Sequence, residues 1–109
     1  PFPRLELALQ LSEDCKRVSV LEAEVILRCV QEALTNAAKH SSAQHLLVKL
    51  QCDGAFWNLD ICDDGDKTPE VVNGGGLRGM QERFDGLGGT LSWSAVAGMP
   101  LRATWPVRE

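Results

Sequence analysis

Two alternating apolar runs on either side of Asp53-Gly54 constrain the fold more than any other stretch of this sequence. Within 45–52 and 55–63 apolar residues recur at every second position as far as Ile61, which is the period of a strand with one buried face. Asp-Gly between two such runs is the strongest short-range signal for an antiparallel hairpin. We therefore expect a hairpin with six apolar side chains on one face. With Asp53-Gly54 as the loop, the predicted pairs are Leu50 with Trp57, Val48 with Leu59 and Leu46 with Ile61.

The segments before the hairpin predict a strand and a helix. Arg4–Leu9 alternates as a strand does, and the polar stretch that follows it is predicted to be a loop. A helix is expected from near Leu21 to about His40. Its start is indicated by Ser19 and Glu22, which have the spacing of a capping box.

The segments after the hairpin predict a second helix and two closing strands. The helical period begins after a run of three glycines and ends at a second group of glycines. Two alternating runs follow and predict an antiparallel pair that completes the sheet. The three tryptophans are assigned to the core or to a sheet face. The apolar positions of the predicted helix are Leu77, Met80, Phe84 and Leu87, and those of the strands are Leu91, Trp93, Ala95, Leu101, Ala103, Trp105 and Val107.

Polar residues form a strip along the C-terminal half of the first helix. At 100° per residue, Glu32, Asn36, Lys39 and His40 fall within roughly a quarter of the helix circumference. An apolar strip lies beside them, so the helix can pack on a sheet while its polar strip lines a crevice. An amphipathic surface helix with chance polar residues is the alternative interpretation.

Asp63 continues the alternation of the second hairpin strand onto its buried face. A carboxylate in such a place is unfavourable unless something donates a hydrogen bond to it. The alternative is a loop residue that turns to solvent where the strand ends.

Length, charge and cysteine spacing exclude several classes of protein. The 109 residues make one small domain, and a net charge of -4 argues against nucleic acid or an anionic membrane as the main partner. No apolar run could span a bilayer or act as a signal peptide. Because the sequence starts at Pro1 without an initiator Met, we expect a fragment of a longer protein. The four cysteines lack the spacing of a zinc site, and free thiols predict a reducing compartment, the cytosol.

Two motifs and one turn carry a resemblance to a known family: Gln31–Ser41, Gly76–Arg83 and the Asp63-Asp64-Gly65 turn. Together they resemble the ATP-binding domain of the GHKL superfamily. This superfamily includes gyrase, heat-shock chaperones, histidine kinases and mismatch-repair ATPases. The two motifs look like the N box and the second glycine box of sensor histidine kinases paired with LuxR/NarL-type response regulators. The resemblance covers nearly the whole chain. It implies an α+β fold, the two-layer Bergerat sandwich, with a mixed, mostly antiparallel sheet covered on one face by helices.

The resemblance also implies roles for individual residues. Asn36 matches the Asn that holds Mg²⁺ against the ATP phosphates. Glu32 matches the N-box Glu, which is expected here either to orient the metal or to have a structural role. Asp63 matches the Asp that accepts a hydrogen bond from the adenine amino group, and 68–73 matches a short ATP lid. The further ATP-binding residues implied are Lys39, His40, Gly65, Gly74, Gly76, Leu77 and Arg78.

The sequence departs from the family pattern at two places near the adenine subsite. Lys67 stands where the first glycine box has its second Gly, and a residue with a side chain is strained there if the position needs a positive φ. Gly98-Met99-Pro100-Leu101 stands where the family has Gly-x-Gly-Thr, so the Thr that supports the adenine-binding Asp is missing. Weak nucleotide affinity, altered lid behaviour or a degenerate site are the expected consequences to test.

The implied function is that of a histidine kinase catalytic domain, with ATP and Mg²⁺ as cofactors. The domain would donate the γ-phosphoryl group to a histidine on a separate helical phosphoacceptor domain, and a LuxR/NarL-type response regulator would follow. No efficient autophosphorylation is expected from this fragment, since neither His40 nor His45 lies in a phosphoacceptor motif. The parent protein is expected to be a homodimer, the isolated domain a monomer, and a membrane anchor in the parent is left open. The alternatives are a non-catalytic interaction module of the same fold and an anti-sigma-type protein serine kinase.

Overall fold

Five strands form one mixed sheet in the computed structural model, which describes residues 6–12, 18–40, 43–65, 75–94 and 100–107. Along the sheet the strand order is β1-β2-β3-β5-β4, with β1 parallel to β2 and all other neighbours antiparallel. Two helices lie on one face, α1 over β2 and β3 and α2 over β4 and β5. The predicted two-layer α+β fold is confirmed. The elements are β1 Glu6–Leu11, α1 Val20–His40, β2 His45–Cys52, β3 Phe56–Asp63, α2 Gly75–Gly86, β4 Thr90–Trp93 and β5 Leu101–Pro106.

The β2–β3 hairpin forms where it was predicted, but the predicted register is wrong by two residues. Cys52 pairs with Trp57, so four residues rather than two form the connection. The Asp53 side chain explains the longer loop, because its Oδ1 accepts hydrogen bonds from the backbone N–H groups of Ala55 (3.0 Å) and Phe56 (2.7 Å). An even shift leaves each side chain on its original face, so the predicted apolar face is correct. The observed pairs are Leu50 with Leu59, Val48 with Ile61 and Leu46 with Asp63.

The start of α1 is fixed by the predicted capping box. The Glu22 backbone N–H donates to Ser19 Oγ (3.1 Å), and the Ser19 N–H donates to Glu22 Oε1 (3.0 Å). The other carboxylate oxygen of Glu22 accepts a buried hydrogen bond from Trp105 Nε1 (2.6 Å). The capping box therefore also ties the first turn of α1 to β5.

The end of α2 is fixed by glycine at two positions. Gly88 has a φ of 78°, in the left-handed region that terminates helices. Gly89 passes so close to β5 that a Cβ there would clash with the Thr104 carbonyl oxygen and lie 2.6 Å from the Trp105 Cβ. The predicted helix end and its buried residues are confirmed. Those buried residues are Leu77, Met80, Phe84 and Leu87.

Two of the three tryptophans form the centre of the core. The rings of Trp57 and Trp105 stack with their centroids 6.4 Å apart, and Phe84 packs on Trp105 at 5.3 Å. Trp93 lies on the sheet face at the edge strand β4 and is 38% exposed. This distribution agrees with the prediction of core and sheet-face roles.

Strand β1 extends two residues beyond the predicted end at Leu9, to Leu11, and its apolar face is largely exposed. Through the parallel register, Leu7, Leu9 and Leu11 point to the same side as the buried apolar residues of β2. They are nevertheless 43%, 57% and 59% exposed, because α1 packs over β2 and β3. The predicted strand residues Arg4 and Leu5 lie outside the described part of the chain.

Three cysteines are free thiols in the described ranges, and Cys15 lies outside them. Cys29 is buried in α1, and desolvation by burial raises the pKa of its thiol to about 12. Cys52 and Cys62 are half-buried. None of the helices in the described part of the chain has the length and apolarity that a bilayer crossing requires.

Candidate functional site

A narrow cavity lies between the C-terminal half of α1 and the sheet, beside the end of β3. Its volume is ≈ 20 Å³, which is room for about one water molecule. The helix, β2, β3 and β5 each contribute to its wall. The lining residues are Ala33, Asn36, Leu46, Ile61, Asp63 and Leu101.

Asn36 is the polar residue that α1 contributes to this cavity. It is only 8% exposed, and no hydrogen bond of its side chain is found among the described residues. Buried amides are hydrogen-bonded in the great majority of proteins. The Asn36 side chain is therefore available to a ligand that enters the cavity.

Asp63 lines the same cavity from the last position of β3. It is half-buried and pairs with Leu46 across the β2–β3 ladder. Its Oδ1 accepts a hydrogen bond from the backbone N–H of Gly65 (2.7 Å), which fixes the orientation of the carboxylate. Of the two interpretations of the sequence, the structure supports a carboxylate on the helix-covered face rather than a loop residue turned to solvent.

The other predicted site residues of the first motif are not found in the wall of the cavity. Glu32 is half-buried, one helical turn before Asn36, and does not line the cavity. Lys39 and His40 belong to the last turn of α1, and their side chains lie outside the described part of the structure.

The glycine-rich motif is divided between described and undescribed residues. The backbone of Gly76 lies in the first turn of α2, and Gly74, Lys67 and the predicted lid at 68–73 fall outside the described ranges. Leu77 is 2% exposed and packs in the core, so only its backbone could face a ligand. Arg78 is exposed in the same turn. Gly65, also predicted, is buried beside Asp63.

Sequence reasoning did not assign the four apolar residues that line the cavity. Ala33, Leu46 and Ile61 were predicted to be buried, but no sequence signal separates a cavity wall from the rest of the core. Leu101 was noted as the residue that replaces the family's Thr. It is buried against the cavity, so this departure lies in the candidate site itself.

The donor set fits the cofactors that the family resemblance implies. Among the described residues, no group of three His, Cys, Asp or Glu side chains is placed to hold a metal ion. Asn36 and Glu32, one turn apart, offer an amide and a carboxylate oxygen, the donors that suit Mg²⁺ when phosphates and water complete its shell. Asp63 offers a fixed acceptor among apolar walls, which suits the edge of a purine base.

A larger depression of ≈ 350 Å³ lies along β3, β4 and β5 and is lined by residues that include Asp60, Cys62 and Arg102; it shares Ile61 and Leu101 with the smaller cavity. Its charged groups are already paired, because Arg102 Nε donates to Asp60 Oδ1 at 2.7 Å. None of the predicted site residues lines it. We therefore assign the site to the smaller cavity.

Comparison with known proteins identifies the relatives of this chain. The sensor histidine kinase YxjM of Bacillus subtilis is 38% identical over 87 residues, which are 78% of this chain and 21% of that protein. The sensor histidine kinase YvfT of the same organism is 33% identical over 97 residues, 88% of this chain and 26% of that protein. The chain thus spans about a quarter or less of the length of these relatives. No family model matches the sequence.

Solved structures agree with the sequence relatives at the level of the fold. The histidine kinase AdeS of Acinetobacter baumannii superposes with a TM-score of 0.75 at 19% identity, covering 98% of this chain and 56% of that one. The sequence relatives show the family, and the solved structure shows that the chain has the same fold as a histidine kinase. The chain belongs to the sensor histidine kinase family, as a GHKL-type domain of that family.

Proposed function

We propose that this domain binds MgATP and presents the γ-phosphoryl group to a histidine on a separate helical phosphoacceptor domain of its kinase. The observation that carries the proposal is the meeting of Asn36 and Asp63 at one cavity, although they lie on different elements. The carboxylate and the amide oxygen, on two neighbouring elements, supply the two kinds of group that a nucleotide needs: an acceptor for the base and a ligand for the metal-bound phosphates.

Asp63 recognises the base in this proposal. Its carboxylate, held by the Gly65 N–H, accepts a hydrogen bond from the exocyclic amino group of adenine. Ile61 and Leu101 provide apolar contact and exclude water, which strengthens that hydrogen bond. Because Leu101 offers no hydroxyl, recognition of the base depends more heavily on Asp63.

Asn36 and Glu32 serve the phosphate end. The Asn36 amide oxygen would hold Mg²⁺, and Glu32, one helical turn earlier, would help to orient it. The first turn of α2, at Gly75–Arg78, directs free backbone N–H groups and the positive end of the helix dipole towards the phosphates. Phosphoryl transfer depends mainly on such positioning and charge neutralisation.

The signalling context follows from the family. We propose that the acceptor histidine belongs to the parent kinase, which acts as a homodimer, and that a LuxR/NarL-type response regulator receives the phosphoryl group. The domain works in the cytoplasm in this proposal, and it transfers no phosphoryl group without the phosphoacceptor domain.

Calorimetric titration with ATP, with and without Mg²⁺, tests the proposal. Wild type should bind, and Asp63→Asn should weaken binding by about a hundredfold, since a half-buried carboxylate that only accepts is replaced by an amide that also donates. Asp60→Asn is the matched control: it lies on the same strand, faces the opposite side and is paired with Arg102, so it should leave affinity unchanged. Equal losses in both variants would contradict the assignment of Asp63.

A non-catalytic interaction module is the second candidate function. The observation in its favour is Leu101, which places an apolar side chain in a small cavity next to the base-binding carboxylate. Folded wild-type protein that fails to bind up to millimolar ATP, weaker than about -4 kcal/mol, would favour this candidate over the kinase.

A further inference from the structure

The turn that follows β3 is tied to the start of β2 by a hydrogen-bonded cluster. Asp64 Oδ1 accepts from the backbone N–H groups of Gln44 (2.8 Å) and His45 (2.9 Å), and Asp64 Oδ2 bonds to His45 Nδ1 (2.6 Å). The Asp64 N–H in turn donates to the His45 carbonyl (3.2 Å). Four hydrogen bonds therefore converge on one residue of the turn.

The His45 ring lies between two carboxylates. Its Nε2 is 3.4 Å from Glu6 Oε2 on β1, while its Nδ1 faces Asp64. These two carboxylates are the charged groups of the described residues that contact the ring. The hydrogen bond to Asp64 is the main cause that raises the pKa of His45, and the same bond is the main cause that lowers the pKa of Asp64 to about 2.

The cluster is continuous with the candidate nucleotide site through the backbone. Asp63 precedes Asp64 directly and points to the opposite side, into the cavity, while Gly65 donates its N–H back to Asp63. The three residues form one short turn, anchored on the outside by His45 and carrying the base-binding carboxylate on the inside. A change in the outer anchor therefore changes how firmly the inner carboxylate is held.

We propose that His45 and Asp64 are positioning residues for the nucleotide site, and that protonation of His45 tightens their hold on the Asp63–Gly65 turn, so that nucleotide affinity falls as pH rises. This inference rests on the proposed nucleotide-binding function. It assigns to His45, outside both sequence motifs, a pH-dependent influence on the site.

The sign follows from the donors of the ring. Protonated His45 donates from both nitrogens, to Asp64 and to Glu6. When the ring loses its charge, Nδ1–H can still bond to Asp64, but Nε2 turns a lone pair towards the Glu6 carboxylate, and the attraction becomes a repulsion. Loss of the proton thus loosens the cluster.

The same reasoning gives the pH window of the cluster's contribution to stability. His45 has its pKa raised, so its contribution is complete below the ordinary value of 6.5 and is lost as pH rises through the raised value. Asp64 has its pKa lowered, so its contribution is complete above the ordinary value of 3.8 and is lost as pH falls towards about 2. Both contributions are complete between pH 3.8 and 6.5.

The test compares the ATP affinity of wild type and His45→Gln from pH 5.5 to 8.5. Gln keeps a hydrogen-bond donor but does not titrate. The phosphates of ATP and the remaining histidine, His40, titrate alike in both proteins, so the difference between the two profiles isolates His45. Since the pair is exposed, wild-type affinity should fall by about two- to fivefold more than that of His45→Gln as pH rises.

A second measurement reads the turn without nucleotide. In wild type, the backbone amide NMR signals of Asp63, Asp64 and Gly65 should shift with the same midpoint as the His45 ring, and in His45→Gln they should not. A merely structural His45 would lower thermal stability but would leave the two affinity profiles parallel, which would overturn the inference. Wild type that fails to bind ATP at every pH would instead overturn the proposed function and, with it, the link to affinity.

Discussion

The two ends of α1 each bury one polar side chain, and only that of Glu22 is hydrogen-bonded within the described part of the structure. Glu22 and Asn36 are the buried polar residues of the described part of the chain, with 7% and 8% exposure. Glu22 is hydrogen-bonded through both carboxylate oxygens, by Ser19 and by Trp105. Asn36 faces a cavity instead. Burial of a polar group thus does not by itself mark a site. What distinguishes Asn36 from Glu22 is its place in the wall of a cavity.

Glu22→Ala should cause the largest loss of stability and leave the site intact. The substitution removes the capping box and leaves Trp105 Nε1 buried without its acceptor, at a cost of about 2–4 kcal/mol in unfolding free energy. Urea unfolding measures this. Glu24→Ala, an exposed glutamate two residues later, is the control and should change stability by less than about 0.5 kcal/mol. If Glu22→Ala folded but no longer bound ATP, the first end of α1 would also serve binding, and the contrast between a structural end and a binding end would be wrong.

Asn36→Ala should have the opposite profile. Loss of the proposed metal ligand should weaken ATP binding in the presence of Mg²⁺ by about tenfold to a hundredfold, while binding without Mg²⁺ and the unfolding free energy change little. Thr35→Ala is the matched control, because Thr35 is exposed and its hydroxyl donates to the Gln31 carbonyl of its own helix (2.9 Å). If Asn36→Ala destabilised the domain as strongly as Glu22→Ala, both ends of the helix would be structural.

Cys29, in the middle of α1, can report which end of the helix has been loosened. Its thiol is buried and its pKa is raised to about 12, so alkylation at pH 8 should modify Cys52 and Cys62 first. Reaction of Cys29 requires local opening. Mass spectrometry should show faster modification of Cys29 in Glu22→Ala, by about tenfold or more, and no acceleration in Asn36→Ala. If Cys29 were modified faster in Asn36→Ala alone, Asn36 would be the structural residue and Glu22 would not.

Arg102→Ala should have the smallest effect on stability and on ATP affinity, and it gives the baseline against which the variants at both ends of α1 are compared. Its ion pair with Asp60 lies on the uncovered face of the sheet and is exposed, so its loss should cost less than about 1 kcal/mol. Urea unfolding and ATP titration should both remain close to wild type. A marked loss of ATP affinity would show that the larger depression beside this ion pair contributes to the site.

Periodicity was sufficient to predict the elements and their faces. The strand and helix periods depend on local backbone geometry alone, so the buried side of β2 and β3 and the polar strip containing Asn36 could be predicted from sequence. The position of Asp63 followed from the same alternation. An even register shift leaves every side chain on its face, which explains why the buried face was predicted correctly from a hairpin whose register was wrong.

Interactions that depend on register could not be predicted in this way. Leu46 pairs with Asp63 only because Asp53 lengthens the hairpin loop, and only this register brings His45 beside Asp64. In the predicted register Leu46 would oppose Ile61, and the His45–Asp64 cluster would not form. The exposed leucines of β1 were missed for a related reason, since the sequence does not reveal which strands α1 covers.

The close approach of Gly89 to β5 has a consequence for how this domain can vary. Gly79 and Gly86 have open space where a Cβ would be, whereas at Gly89 that space is occupied by the backbone and the Cβ of the neighbouring strand. In a saturation-mutagenesis library, Gly79 and Gly86 should accept other small residues, and Gly89 should accept none. Three glycines that look alike in one sequence therefore differ in their freedom to evolve, and a single position fixes the distance at which α2 meets the sheet.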